Sequence, residues 1–325
     1  MSEPSPTRKR RGRLLRAGAA FVVLLAVAGY LTVQYVTGGA PGCKVVSGDD
    51  DRTVYEFTPE QAVNAATITA VGTARDLPER AVTIALATAL QESALRNIDY
   101  GDRDSLGLFQ QRPSQGWGTP KEIMDPAYSA GMFYDHLVEV PGYTRLPLTV
   151  AAQRVQRSGF PDAYAKHEPD ATLLAAALTG RSAATLTCEG RPGAHRAEGP
   201  DAVRAALVRD FGRDVLQPAG AEVGTSTEPG PAASPGARGG SDGRTVTLPV
   251  GDGHGSGTDR SAERRGWQLA HWAVANASAL RIERVTYAGR QWTAGNTDSK
   301  WYATGNAGTH GAEQGTRSVR ITSAR

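Results

Sequence analysis

The stretch from Pro78 to Ser93 constrains the chain more than any other. Val82, Ile84, Ala85, Leu86, Ala89 and Leu90 leave scarcely a polar face between Glu79 and Gln91. A helix that is apolar nearly all round cannot lie on a surface, so the sequence predicts a buried central helix with other elements wrapped around it. Its last residues are Gln91-Glu92-Ser93, which puts a carboxylate where the helix leaves the core. A helix C-terminus carries partial negative charge and disfavours an anion, and partial burial acts in the same direction. Glu92 is therefore expected to hold its proton more tightly than an ordinary glutamate. The plain alternative is an ion pair with Arg96 or Arg103.

The wrapping elements announce themselves by their starts. Thr58-Pro59-Glu60-Gln61 is a capping-box arrangement, followed on one face by Ala62, Ala65, Ala66, Ile68 and Val71. Asp125-Pro126 opens a helix with Ala130, Met132, Phe133 and Leu137, and Pro147 opens another through Val150, Ala151, Ala152 and Val155. Pro161 begins a further helix toward Leu178, interrupted at Pro169. Gly101 to Trp117 reads as loop. With no convincing strand alternation, residues 58–190 are expected to form a mainly α domain. A helix over 200–216 follows. Residues 217–243, almost free of large apolar side chains, read as a disordered linker or loop. Residues 244–325 predict a small α+β unit, with strands at 244–250, 281–287 and 317–323 around a helix at 267–280. No internal repeat is visible.

The chain's net charge of +3 is set by its first sixteen residues, where Arg8, Lys9, Arg10, Arg11, Arg13 and Arg16 face only Glu3. Nothing beyond them forms a basic stripe, and a nucleic-acid partner is not expected. Residues 17–36 are free of charge, long enough at about 1.5 Å per residue to cross a bilayer core of about 30 Å. The expectation is a single-pass membrane anchor over 17–36, with residues 1–16 cytoplasmic, a stalk over 37–57 and the rest extracytoplasmic. A cleaved signal peptide at Gly38-Gly39-Ala40 and, less well matched, a lipoprotein site at Cys43 are the alternatives. An exported chain with two cysteines normally oxidises them, so a Cys43–Cys188 disulfide is expected, against two independent thiols. Two cysteines and no paired histidine spacing give no zinc site.

The segment that bears chemistry is Glu92-Ser93, then Gly101-Asp102-Arg103-Asp104-Ser105-Leu106-Gly107-Leu108-Phe109-Gln110-Gln111-Arg112-Pro113. A glutamic acid of raised pKa opening into a cleft is what protonating a glycosidic oxygen requires. The Glu-Ser pair followed by Ser-x-Gly-Leu-x-Gln and a nearby Pro resembles the soluble lytic transglycosylase family, over roughly residues 58–180. The preceding Gly-Asp-Arg also resembles goose-type lysozymes, which share the lysozyme-like fold. The resemblance implies Glu92 as the catalytic acid. It implies Ser93 beside the carboxylate and substrate, Gly107, Leu108 and Gln110 along the glycan cleft, and Asp102 as the first goose-type aspartate. The second goose-type aspartate falls at Arg112, which cannot act as a base, so single-acid chemistry is favoured over a two-carboxylate hydrolase. The family's Ala-Tyr-Asn segment is replaced by Ala151-Ala152-Gln153-Arg154-Val155-Gln156-Arg157-Ser158, where Gln153 and Gln156 offer amides in place of the cleft-facing tyrosine. Trp117, on a glycine-rich loop, is placed either to stack on a sugar ring or to anchor the loop. Tyr128, Phe133, Tyr134 and Tyr143 read as packing residues, and His136 and His167 as ordinary surface or core residues.

Gly266-Trp267 through Ala277, with Val285 to Trp292 and Trp301, resembles a small module of actinobacterial wall proteins distantly similar to zinc D-Ala-D-Ala peptidases. Its usual Asp-His-x-His segment is absent from His310 to Ile321, and His254, His271 and His310 have no ligand spacing. A wall-binding or spacer role without metal is expected. Taken together, the resemblances imply cleavage of MurNAc-GlcNAc bonds in peptidoglycan glycan strands, with no cofactor and protein partners unspecified. The alternative is a lysozyme-like fold that binds the wall without cutting it.

Overall fold

The computed structural model describes residues 42–48, 53–160, 162–190, 199–217, 243–250, 256–295, 300–304 and 318–324. Two short strands come first, β1 (Cys43–Val46) and β2 (Val54–Phe57), in the segment expected to be a stalk. Helix α1 (Pro59–Ala74) starts on the capping box read from the sequence: the Thr58 hydroxyl accepts from Gln61 N–H, and the Gln61 side chain accepts from Thr58 N–H. Then comes α2 (Glu79–Ser93), in which every residue from Ala81 to Leu90 is buried. The all-apolar helix is indeed the centre of its layer, packed by α1, and by the helices α4 (Pro126–Val138), α5 (Leu148–Gln156) and α6 (Glu168–Leu178). A single-turn helix α3 (Pro120–Ile123) precedes α4. Pro169 does not interrupt a helix. It stands in the first turn of α6, where its missing N–H costs nothing.

Strand β3 (Leu186–Cys188) closes the first sheet, in the antiparallel order β2-β1-β3. Cys43 lies opposite Cys188 in the β1–β3 register, and the two are joined by a disulfide of 2.06 Å, as expected. Helix α7 (Gly199–Phe211) ends at Gly212, whose φ of +84° turns the chain out of the helix before reaching 216.

The remaining elements are β4 (Thr245–Pro249), α8 (Ser256–Ala275), α9 (Ala277–Leu280), β5 (Ile282–Tyr287), β6 (Arg290–Thr293), β7 (Tyr302–Ala303) and β8 (Ser318–Ser323). They make a five-stranded antiparallel sheet of order β4-β8-β5-β6-β7. One face, carrying Val246, Ile321, Val285 and Trp292, is buried. Helix α8 lies between this sheet and the first layer, touching β5 and β8 on one side and α1, α6 and β3 on the other. Gln268 donates to the Thr73 hydroxyl (2.6 Å) and Trp272 Nε1 to Asp210 (2.8 Å). The indoles of Trp292 and Trp301 donate to the carbonyls of Cys188 (3.0 Å) and Leu186 (2.9 Å). Asp210, itself buried, also accepts from Thr67 and Arg209, so α1, α7 and α8 share one buried carboxylate.

Two expectations are corrected. The fold is mixed α/β, not a mainly α domain with a small α+β unit beside it. Among the described residues there are nine helices and two antiparallel sheets, and one hydrophobic core runs from Cys43 to Ile321. The single-pass anchor, and the membrane localisation built on it, also fail to find their helix. Among the described residues no helix is long and apolar enough to cross a membrane. The longest, α8, carries Arg260, Glu263, Arg264 and Arg265 in its first half. The stretch 17–36 on which that expectation rested lies outside the described residues, as do almost all of the linker at 217–243, His254 and His310.

Candidate functional site

Glu92 occupies the last turn of α2, where the buried helix meets a groove of about 1040 Å³. The groove is lined by the loop after α2 (Asp102, Ser105, Gln110), by Trp117 and by His136 and Glu139 at the end of α4. The end of α5 and the turn that follows it, Arg154 to Phe160, form the remaining wall. Glu92 is partly buried. Its Oε1 accepts a hydrogen bond from the Tyr164 hydroxyl at 2.7 Å, and among the described residues no cation pairs with it. Neither Arg96 nor Arg103 takes the place that the plain alternative gave them.

Burial raises the Glu92 pKa above the ordinary glutamate value, and the hydrogen bonds from Tyr164 and Gln156 offset part of that rise. Tyr164 is fully buried. Its own hydroxyl is held well above the usual phenol range, by burial first and then by the neighbouring Glu92 charge. It is therefore a permanent proton-bearing donor toward the carboxylate. The Gln156 amide is fixed by donating to the Phe109 carbonyl at 2.7 Å.

The loop opposite is built around strained or tight positions. Gly107 has φ +74°, and a Cβ there would stand 2.7 Å from the Ile123 carbonyl oxygen. Only glycine accepts both the left-handed backbone and that approach. Gln110 bonds through its amide to the carbonyls of Tyr100 and Gly107 (3.3 Å each). Arg112 is tied to Asp104 at 2.9 Å, and the other Asp104 oxygen accepts from Ser114 N–H at 2.9 Å. The Ser114 hydroxyl first, then the Ser114 N–H and Arg112, hold Asp104 well below the usual carboxylate range.

Of the residues singled out in the sequence, Glu92, Asp102, Gln110 and Trp117 line the groove together. Ser93 does not reach it: the side chain is buried and donates to the carbonyls of Ala89 (3.1 Å) and Leu108 (2.8 Å), tying the end of α2 to the loop. Gly107 shapes that loop and Leu108 is fully buried beneath it. Gln153 turns away to the Ser158 carbonyl (2.7 Å), while Gln156, three residues on, faces Glu92. Trp117 lies against His136, ring centroids 4.2 Å apart, one face of the pair on the groove. Sequence reasoning missed Tyr164, which comes from beyond α5, 72 residues from Glu92. It also missed Phe160, 77% exposed at the groove rim. No local pattern marks either residue. The only hint at either is that two aromatics, Phe160 and Tyr164, stand in a short stretch between two helices that is otherwise small or polar.

The geometry defines a class: a polar groove over the end of a buried helix, with one desolvated, tyrosine-bonded carboxyl group at its wall. Residues 218–314 match the family described as VldE, C-terminal domain. That match covers less than a third of the chain, lies wholly outside the residues that form the groove, and names neither a lysozyme-like nor a peptidase-like module. No curated protein matches the chain.

Proposed function

We propose that the groove binds peptidoglycan glycan strands and that Glu92 cleaves the MurNAc-GlcNAc bond as a single general acid. The observation that supports this most directly is the state of Glu92: desolvated, free of any ion pair among the described residues, and opening onto a groove of about 1040 Å³. A carboxyl group whose pKa is raised is protonated nearer neutral pH than its neighbours and can donate there. In the proposed reaction the Glu92 proton passes to the bridging oxygen as its bond to the muramoyl C1 breaks. Tyr164 and Gln156 then stabilise the carboxylate left behind. That carboxylate removes the proton from the muramoyl 6-hydroxyl as its oxygen closes on C1, which gives a 1,6-anhydro ring and returns Glu92 to its acid form. Water taking the place of the 6-hydroxyl gives the hydrolysed product from the same arrangement. The Arg112–Asp104 pairing favours the intramolecular route, since the position where a second carboxylate would activate water holds a guanidinium engaged in an ion pair. The Cys43–Cys188 bond fits an oxidising compartment, where wall glycan is found.

The test is cleavage of purified sacculi by the wild-type protein and by Glu92→Gln. The wild type releases soluble anhydro-muropeptides, and the variant, which binds without a proton to give, releases none. Equal release by both removes Glu92 from the chemistry. Binding to sacculi with no product from either would assign the groove to glycan binding alone.

A further inference from the structure

Directly after Glu92 and Ser93 the backbone passes through two consecutive non-glycine residues in the left-handed region, Ala94 at φ +53° and Leu95 at φ +58°. Residues with a Cβ disfavour that conformation, and such positions persist where the surroundings over-determine them. Here the surroundings are two side-chain amides from the first turns of α1. Gln61 Nε2 donates to the Ala94 carbonyl and Asn64 Nδ2 to the Leu95 carbonyl, both at 2.8 Å. Asn64 is only 5% exposed, so its bond is shielded from water. Gln61 spends its other amide atom on Thr58 N–H (2.7 Å), the same bond that caps α1. One glutamine thus joins the start of α1 to the end of α2. On the opposite side the Ser93 hydroxyl grips the Leu108 carbonyl. Carbonyls at a helix C-terminus have no partner within the helix. Backbone bonds from Ala94 N–H to Leu90 and from Leu95 N–H to Ala89 (3.0 Å each) close the turn on the helix side, so without the two amides it would lose its acceptor pairing and the tie that fastens it to α1.

We infer that Asn64, backed by Gln61, is a positioning residue for Glu92: it holds the left-handed Ala94-Leu95 turn that ends α2 and so fixes where the Glu92 carboxyl stands in the groove and against Tyr164. The inference rests on the reading of Glu92 as the acid. It goes beyond that reading, because neither amide touches the groove.

The experiment compares Asn64→Ala and Gln61→Ala with the wild type, in the full chain and well below the melting temperature of each variant. Gln61 is only partly buried and its variant is the safer to fold, which keeps the test available if Asn64→Ala does not. Two readouts are taken: kcat and KM on sacculus-derived glycan, and the titration of the Glu92 carboxyl followed by carbon NMR. In each variant kcat is expected to fall by about tenfold or more while KM stays within about twofold, as for loss of alignment alone. The Glu92 titration is expected to move down toward the ordinary glutamate value as the side chain swings into water. A Glu92 titration that stays put in both variants overturns the inference, whatever happens to kcat, because a carboxyl group that has left its place beside Tyr164 must meet more water. If the wild type cleaves nothing, the titration still decides, so failure of the proposed activity and failure of this inference are told apart.

Discussion

At the scale of the residue, the decisive pairing is Tyr164 with Glu92. The hydroxyl donates to the carboxyl at 2.7 Å and pulls its pKa down against the larger effect of burial. Removing the hydroxyl in Tyr164→Phe therefore leaves burial less opposed, and the Glu92 pKa must rise further. In the proposed reaction Glu92 works while protonated, so the alkaline limb of the pH–rate profile is expected to move to higher pH. The same change makes Glu92 a poorer donor and its conjugate base less stable. A hydrogen bond to a charged group contributes about 1.5–3 kcal/mol, so kcat at the optimum is expected to fall by roughly one to two orders of magnitude, at most the lower part of the ~10²–10⁴ that general acid–base catalysis supplies in total. Steady-state rates across pH on soluble glycan check both. A limb that moves to lower pH would mean that Tyr164 does not stabilise the charged form. Glu92 itself was legible because the sequence puts one carboxylate at the end of an otherwise apolar helix. Tyr164 was not, because its role depends on how the turn after α5 folds back over α2. Gln153 and Gln156 show the same limit: both amides were visible, and only the helical phase of α5 against α2 decides that Gln156 is the one facing Glu92.

At the scale of the element, starts and stops were legible where the signal is local. The Thr58–Gln61 capping box, Pro126 and the apolar run of α2 each carry their own structural cause within a few residues. The strands β1 and β2 do not. Each is four residues long, and both are held by pairing with each other and, for β1, with β3, whose Cys188 lies 145 residues beyond Cys43. The meeting of α6 with α8 was equally hidden, and it turns on Gly180. Its φ is +76°, and a Cβ there would lie 1.9 Å from the Arg264 carbonyl oxygen and 2.8 Å from Gln268 N. Both neighbours are backbone, so neither can rotate away. Gly180→Ala must move α8 or abandon the turn, and a loss of about 2–4 kcal/mol is expected from overpacking and backbone strain together. A denaturant midpoint that falls with an unchanged slope is the signature. A midpoint within error of the wild type would show that the two helices are not in fixed contact.

At the scale of the whole molecule, the sequence suggests two separate folding units and the structure joins them. The reason can be read on α8. From Trp267 to Asn276 every residue is buried, Gln268 and His271 among them. A helix enclosed on all sides needs partners on all sides, and the five-stranded sheet supplies only one. The other side is α1, α6 and β3, with His271 Nδ1 at 2.7 Å from the Ala177 carbonyl oxygen and two tryptophan indoles on the carbonyls of β3. Desolvation lowers the His271 pKa to about 4, so the ring stays neutral in this contact. A chain ending at Gln217 would leave Thr73, Ala177, Leu186 and Cys188 facing water along an apolar surface that α8 now covers. Such a chain is expected not to reach the native state: it should show no sharp thermal transition and should bind a hydrophobic dye. The full chain is expected to unfold in one calorimetric transition, with calorimetric and van't Hoff enthalpies equal. Two independent transitions, or a truncated chain that melts cooperatively near the wild-type temperature, would return the molecule to separate domains. In that case the shared core would be a packing contact and not a condition for folding. One transition would mean instead that a substitution in the carboxy-terminal sheet lowers the stability of the Glu92 groove as well, although no residue of that sheet lines it.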